Sequence, residues 1–574
     1  LQVKNIFNKK MFLLLSFSML LISFMGMNTW AASDFASGDG SKEKPYEIKT
    51  EAQLNKIHDH LDKNFILTSD IILTKDFEPI GTYEKTKDGI DTAKAFTGFF
   101  DGNGHSISNL VINQGNKDYI GFFGVVSGDH QKKAIIKNLN ISGSKINGAN
   151  NVAAIVGFAY DNVDIENVHL IDSNLIVGKD SIAGIVGKTE KSVRIHNSSS
   201  RCEIKGEEGL GGIIGFISKD TIVSNSNTNS KITGVGHIGG FAGRVYGKID
   251  HSFANAIVIA VGDDHDAAGL VGTLFNGGKI SDCYALGKVK GFTNVGGLVG
   301  RTLNYYPEGI VPPNPKPSPS IINSYADVEV QGVSLVGGLI GYIKENSIVE
   351  NCYALGNITL IEDVKPIDSV AVGSHGGGLI GKVDASSKII GCRSFGSVSG
   401  DEGIAGLVGF LGDGCIIKNS SSSSNVTGKG HIGGLVGRCY GNIDNCYTTG
   451  NITLIGDDHD AAGIAGTLFN NGSVQNSYAI GTISGHENIG GIVARTIVYY
   501  KEGENVPATI PTQKIYNCEF YGSVKGDLNV GGIVGFAQKN ANIIENKNYG
   551  YISSKDQSTL GWIAGKVDKG AVIH

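Results

Sequence analysis

Proline is scarce in this chain, at 11 of 574 residues, and charged residues make up only 18%. With so little proline the 83 glycines cannot be collagen-like, and with so little charge the chain is not a disordered polyelectrolyte. The formal net charge is -6 and there is no long basic run, so the sequence lacks the electrostatic footprint of a nucleic-acid or anionic-membrane binder. CxxC spacing is missing, which removes the commonest zinc framework. Helical stretches are also missing from the repeating part of the chain, and what fills it instead is glycine at fixed intervals.

The N-terminal residues have the form of an export signal. Lys4, Lys9 and Lys10 flank an apolar run from Met11 to Met27, and small Ala31 and Ala32 follow as a cleavage point. The expected organisation is a signal peptide at 1–32, a cap with a short helix at 33–95, and a repeat region at 96–574. Once the signal is cleaved, no membrane segment is expected, and the chain should be secreted, extracellular or on the cell surface. An uncleaved anchor is the alternative, disfavoured because the apolar run is short for a spanning helix.

The repeat is explicit. AAIVG at 153, AGIVG at 183, GGIIG at 211, GGFAG at 239, AGLVG at 268 and GGLVG at 296 lie 28 to 30 residues apart, and the series continues to GWIAG at 561. Spacings of 40 or 41 mark inserted loops. A second marker keeps step: Asn109, Asn138, Asn167, Asn197, Asn225, Asn323, Asn351, Asn419, Asn445, Asn476, Asn517 and Asn546, with His251, Asp282 and Gly391 in the same place in three units. A larger duplication lies over both, since GEEGLGGIIG at 206 matches GDEGIAGLVG at 400 and GDDHDAAG recurs at 262 and 456, each shifted by 194.

Short runs rich in β-branched and aromatic residues, separated by Gly, Asn and Asp, are strands between tight turns. One unit suits one turn of a coil whose strands pair in parallel with the next turn at about 4.8 Å. The fold class is therefore all-β: a parallel β-helix, or β-solenoid, of about fifteen coils of ~28 residues. Right-handed winding is expected from the chirality of parallel connections. The glycines give close backbone approach and positive φ, and the asparagines bond their own turn and the next coil. TEAQLNKIHDHL is the capping helix, with Thr50 and Gln53 as a capping box and Ala52, Leu54, Ile57 and Leu61 on one face.

KPYEIKTEAQL at 44, TGFFDGNGHSISNL at 97 and the GGLVG units resemble bacterial GLUG-motif exported and surface proteins, and also the non-catalytic repeat region of IgA-specific metalloendopeptidases. The resemblance implies an exported β-helix and no particular activity. HExxH, which the protease chemistry needs, is absent, and so is an LPxTG-like sorting string. No enzymatic activity is expected.

Three features are candidates for function. GDDHD places Asp263, Asp264, His265 and Asp266 on one edge, and its copy places Asp457, Asp458, His459 and Asp460 there. His237 and His431 lie one coil before, Glu207, Glu208, Asp401 and Glu402 two coils before, and His486 with Glu487 one coil after the second copy. Carboxylates on adjacent coils could share a cation, and oxygen ligands with a few imidazoles suit Ca2+ or, less well, Zn2+. A solvated acidic turn is the alternative, and it is favoured because no calcium-loop spacing is present. The second candidate is a pair of inserted loops, NYYPEGIVPPNPKPSPS from Asn304 and VYYKEGENVPATIPT from Val498. Tyr305, Tyr306, Tyr499 and Tyr500 could stack on sugars or contact a protein, and the loops should project from the same side roughly 29 Å apart. They are equally read as tolerated excursions. The third is cysteine: Cys283, Cys352, Cys392, Cys446 and Cys518 alternate with serine as small interior residues, and only Cys352 and Cys392 fall on consecutive coils where a bridge is conceivable. The expected function is adhesion or binding, with carbohydrate or an extracellular protein as partner. A passive spacer and a polysaccharide-degrading β-helix enzyme are the alternatives.

Overall fold

The computed structural model describes residues 34–86, 89–262, 266–361, 375–456, 459–500 and 510–574. The expected signal peptide lies outside them. Among the described residues, no helix is long and apolar enough to cross a membrane. The chain winds as a parallel β-solenoid of about fifteen turns.

One coil shows the plan. Thr293–Gly296 belongs to a wall of 14 stacked strands and Val299–Leu303 to a wall of 15, while Ser320–Ile322 and Tyr325–Gly332 belong to a third, bent wall of 43. Pairing is parallel and in register from coil to coil, as in Val295↔Val336 and Val299↔Ile340. Among the described residues one antiparallel hairpin, Glu84–Thr86 with Gly89–Asp91, interrupts the early coils. Inward positions are Ile, Leu, Val and Ala: Leu298, Leu339, Leu379, Leu407 and Leu435 form one fully buried file. Each such side chain contributes roughly 1.5–3 kcal/mol of transfer free energy.

The glycines are explained by close approach. A Cβ on Gly297 would lie 2.0 Å from the carbonyl oxygen of Gly338, and one on Gly338 would lie 2.1 Å from that of Gly378. The glycine wall does not supply the positive φ expected of it. That conformation falls on the residue two positions before the pair, at Asn294 and Asn488, and on the corner asparagines, where Asn323 has φ 50° and Asn445 has φ 53°. Asparagine tolerates this region because its amide bonds locally. Asn445 Nδ2 donates to Asn419 Oδ1 at 2.8 Å, and Asn517 Nδ2 to Asn476 Oδ1 at 2.9 Å.

Two members of the expected ladder are displaced. Tyr516 pairs with Ile544, so Glu545, with φ 57°, holds the last corner, and Asn546 takes the serine position, accepting from Cys518 N at 2.9 Å. Asn109 lies at a second corner, level with Gly143, because Ser108 pairs with Ser142. The serine and cysteine file is interior as expected. Ser324 Oγ accepts from Cys283 N at 3.1 Å and Ser420 Oγ from Cys392 N at 3.0 Å, so the hydroxyls also bind the backbone of the preceding coil.

The N-terminal helix is shorter than its sequence pattern suggests. It covers Glu51–Asn55 and tightens into a 3-10 turn over Lys56–Asp59. Thr50 Oγ1 accepts from Gln53 N, and Gln53 Oε1 accepts from Lys49 N at 2.8 Å. Leu54 and Ile57 are fully buried, but Ala52 faces solvent, since one short turn presents only two positions to the core.

If close approach explains the glycines, Gly338→Ala forces backbone apart and should cost roughly 1–3 kcal/mol. Gly104→Ala, where nothing lies within 4 Å of the new Cβ, should cost about 1 kcal/mol for positive φ alone. Thermal melts of the two variants check this, and an equal loss would refute the close-approach account.

Candidate functional site

The inserted loops leave the solenoid at equivalent coils, and each is fastened by an asparagine in the left-handed conformation. Asn276 Nδ2 donates to Tyr305 O at 2.7 Å and its Oδ1 accepts from Tyr305 N at 2.6 Å. Asn470 Oδ1 accepts from Tyr499 N at 2.8 Å. Gln513, fully buried, closes the base of the second loop by donating to Asn470 O at 2.7 Å.

The tyrosine pairs divide by exposure. Tyr305 is 53% exposed and Tyr499 51%, while Tyr306 and Tyr500 are half-buried with hydroxyls that have no hydrogen-bond partner among the described residues. Beside the second loop lies a cleft of about 1040 Å3. Tyr440 and Tyr500 flank it, Ile510 and Pro511 come from the loop, and its floor holds the row Lys418, Asp444 and Gln475 beside the row Asn442, Ser473 and Lys514. Tyr440 is set rigidly by stacking on Phe469 at 4.5 Å. The sequence reading named Tyr500 but missed the floor. The available signal was register, because Lys418, Asp444 and Gln475 each immediately precede a corner asparagine and so face outward.

Asp263, Asp264 and His265 of the first acidic run, and Asp457 and Asp458 of the second, lie outside the described residues. Asp266 and Asp460 do not fit a solvated turn: both are fully buried. Asp266 Oδ1 accepts from Asn294 Nδ2 at 2.9 Å, and its Oδ2 accepts the Thr273 hydroxyl, lies 3.2 Å from His237 Nδ1 and accepts from Arg301 Nε at 3.2 Å. Asp460 repeats this with Asn488 at 3.0 Å, Thr467 at 2.6 Å, His431 at 3.2 Å and Arg495 at 2.9 Å. Both oxygens of each carboxylate are therefore taken by protein donors. Burial, the largest influence, would raise each carboxyl, but the histidine bond, the arginine and histidine charges and the threonine hydroxyl together hold it below its ordinary value.

Among the described residues one grouping of three potential metal ligands occurs, at Asp250, His251 and Asp282, with ligand atoms within 4.8 Å of one another. Asp250 is already engaged there by Ser281 Oγ at 2.6 Å and Lys248 Nζ at 3.2 Å. All eight cysteines are free and buried, Cys352 and Cys392 included. Burial pushes the thiols of Cys283, Cys439, Cys446 and Cys518 up to about 12 and those of Cys202 and Cys415 up to about 11, which leaves them poor nucleophiles.

Comparison with known proteins places the GLUG motif at residues 332–359 and 428–453. Halomucin of Haloquadratum walsbyi is 29% identical over 171 residues, 29% of this chain and 2% of its own length. A protein of Evansella cellulosilytica assigned as a Gly-rich membrane protein is 37% identical over 144 residues, 24% of this chain and 16% of its own. The chain thus spans less than a fifth of either relative. A solved structure assigned as an immunoglobulin A1 protease of Bacteroides ovatus aligns over 75% of this chain and 85% of its own, with 16% identity and a TM-score of 0.21.

Replacing Asp266 and Asp460 by asparagine leaves two arginines facing neutral amides, and each site should lose about 3 kcal/mol at neutral pH. The native carboxyls titrate below the ordinary 3.8. Their contribution is therefore complete above that value and fades as pH falls through the depressed one. Denaturant titrations should show the gap between parent and variant narrowing below pH 3.8, and a gap independent of pH would refute the ionised pair.

Proposed function

For this GLUG-motif β-solenoid repeat protein we propose a role as an exported or cell-surface binding protein that takes carbohydrate in the cleft beside its second inserted loop. The observation that carries the reading is that cleft: two tyrosines, one of them with a hydroxyl unbonded among the described residues, stand over rows of lysine, carboxylate and amide side chains. Sugar rings present an apolar face to aromatic rings and hydroxyls to planar polar groups, and this lining offers both. The signal-like N-terminus and the membrane assignment of the Evansella relative support a surface location.

Binding is favoured over polysaccharide cleavage by the state of Asp444, which lines the cleft together with Asp413. The Asn476 amide at 2.9 Å, together with Lys418 at 3.1 Å, holds Asp444 below the usual range, whereas a general acid needs a raised value. The spacer reading draws support from the unbroken stacking of walls from end to end.

Parent, Tyr440→Ala and Tyr500→Ala chains should be compared on glycan and extracellular-protein arrays, followed by titration of any hit. Each truncation should weaken glycan binding roughly threefold to tenfold. Parent and variant affinities that coincide would remove the cleft, and no glycan hit at all for the parent would favour the spacer.

A further inference from the structure

A separate groove of about 650 Å3 lies in the first half of the solenoid. Its origin is a step in the bent wall. Three successive coils break at this corner, between Ala134–Ser142 and Lys145–Asn147, between Val163–Ile171 and Leu175–Val177, and between Ser199–Ser200 and Glu203–Lys205. The next two coils run straight through it as the eight-residue strands Asn227–Gly234 and Phe253–Ala260. The corner at 172–174 consequently overhangs a floor made by the straight strands. Asn174, only 4% exposed, rigidifies the overhang: it accepts from Ser144 N and Oγ and donates to the carbonyls of Ile171 and Arg201.

From this geometry we infer that the groove binds an acidic oligosaccharide, with a hexuronate carboxylate on Arg201 and sugar hydroxyls on Asn229 and Asn255. Asn229 and Asn255 are register partners on adjacent coils, and Arg201 is one residue beyond the Ser200↔Thr228 pair, so the three head groups form one row. Neither amide is hydrogen-bonded among the described residues, unlike the corner asparagines that bond one another. Asp172 and Glu203 also line the groove, but among the described residues Arg201 and Lys145 form no ion pair with either, while Lys231 is 3.8 Å from Glu203. The guanidinium fork matches a carboxylate with two parallel bonds. Ile257, 49% exposed, gives the apolar face of a sugar ring a place to rest. The volume lies within the ~300–1,000 Å3 of small-molecule sites.

The internal duplication supplies a control. Arg201, Glu203, Asn229, Lys231 and Asn255 correspond, at the shift of 194, to Phe395, Ser397, Ser423, Asn425 and Thr449. The buried Asp266 cluster survives in both blocks, as an architectural element would, whereas the charges and paired amides of this groove occur in only one.

The test is calorimetric titration of the full chain with trigalacturonate, with its methyl-esterified form, and with a sulfated neutral trisaccharide. Saturable binding of the free acid, at least tenfold tighter than the ester or the sulfated sugar, is expected. Arg201→Gln should remove that preference, Asn229→Ala with Asn255→Ala should weaken acid and ester alike, and Tyr500→Ala should change neither, which separates this groove from the loop cleft. Thermal melts of the variants should match the parent, since these side chains support no other group. No saturable heat with the acid, equal affinity for acid and ester, or an Arg201→Gln chain that binds like the parent would each overturn the inference, and preference for the sulfated sugar would overturn the assignment to a carboxylate.

Discussion

Each coil of this molecule lies on the next with its backbone in register, and at the glycine wall the approach is so close that a single added carbon would sit about 2 Å from a neighbouring carbonyl oxygen. This contact sets the geometry that the other features obey. Because glycine occupies the wall, the coils stack without a wedge, and the aliphatic files between the glycines fall above one another and exclude water. In-register stacking then turns every sequence position into a column. A residue type that can repeat favourably with itself along a column stabilises the whole array, and one that cannot must be paired or alternated.

The columns show how this is managed for polar groups. Asparagine repeats well at the corner because one amide donates to the next, and serine repeats inside because each hydroxyl accepts the backbone N–H of the preceding coil. Charge repeats poorly at 4.8 Å; like charges do meet at Asp180↔Glu208 and Lys248↔Lys279, but one wall alternates its cations with rings. On the outer face of the 15-stranded wall Lys188 lies over Phe158 and Phe216, and Lys382 over Tyr342 and Phe410, each cation between two rings. The buried aspartates follow the same logic in a harsher setting. His237, Asp266 and Asn294 succeed one another in a single column, and Arg301 comes in from the adjoining wall to neutralise the carboxylate.

Periodic features were legible in the sequence and lateral ones were not. The glycine repeat and the corner asparagines fix coil length, strand pairing and the inward file, and the structure agrees with all three. Errors arose where one residue type is shared by two columns. The repeat count puts Asn546 on the corner that Glu545 holds, because an asparagine one position away has the same signature. Asn109 was assigned to the wrong corner for the same reason. GDDHD looks like a single surface feature, yet its last aspartate, Asp266, immediately precedes the strand Ala267–Ala268 and turns inward to meet Thr273, seven residues on, across the glycine turn. The cleft floor was invisible because Lys418, Asp444, Gln475 and Lys514 are neighbours only after four coils are stacked beneath a loop.

The duplication separates what stacking demands from what stacking merely permits. Positions whose columns would fail without a particular residue are retained 194 residues later: the second glycine of the wall motif, as in Gly212 and Gly406, the Asp–Thr–His–Asn–Arg clusters, and the asparagines that fasten each loop. Outward positions beside an overhang or under a loop carry no such demand, since solvent or a ligand can complete them equally well. Arg201 facing Phe395 and Asn255 facing Thr449 are differences of this kind. A solenoid can therefore hold one architecture over about fifteen coils while its grooves diverge, and chemical specificity is to be sought where the two blocks disagree rather than where they match.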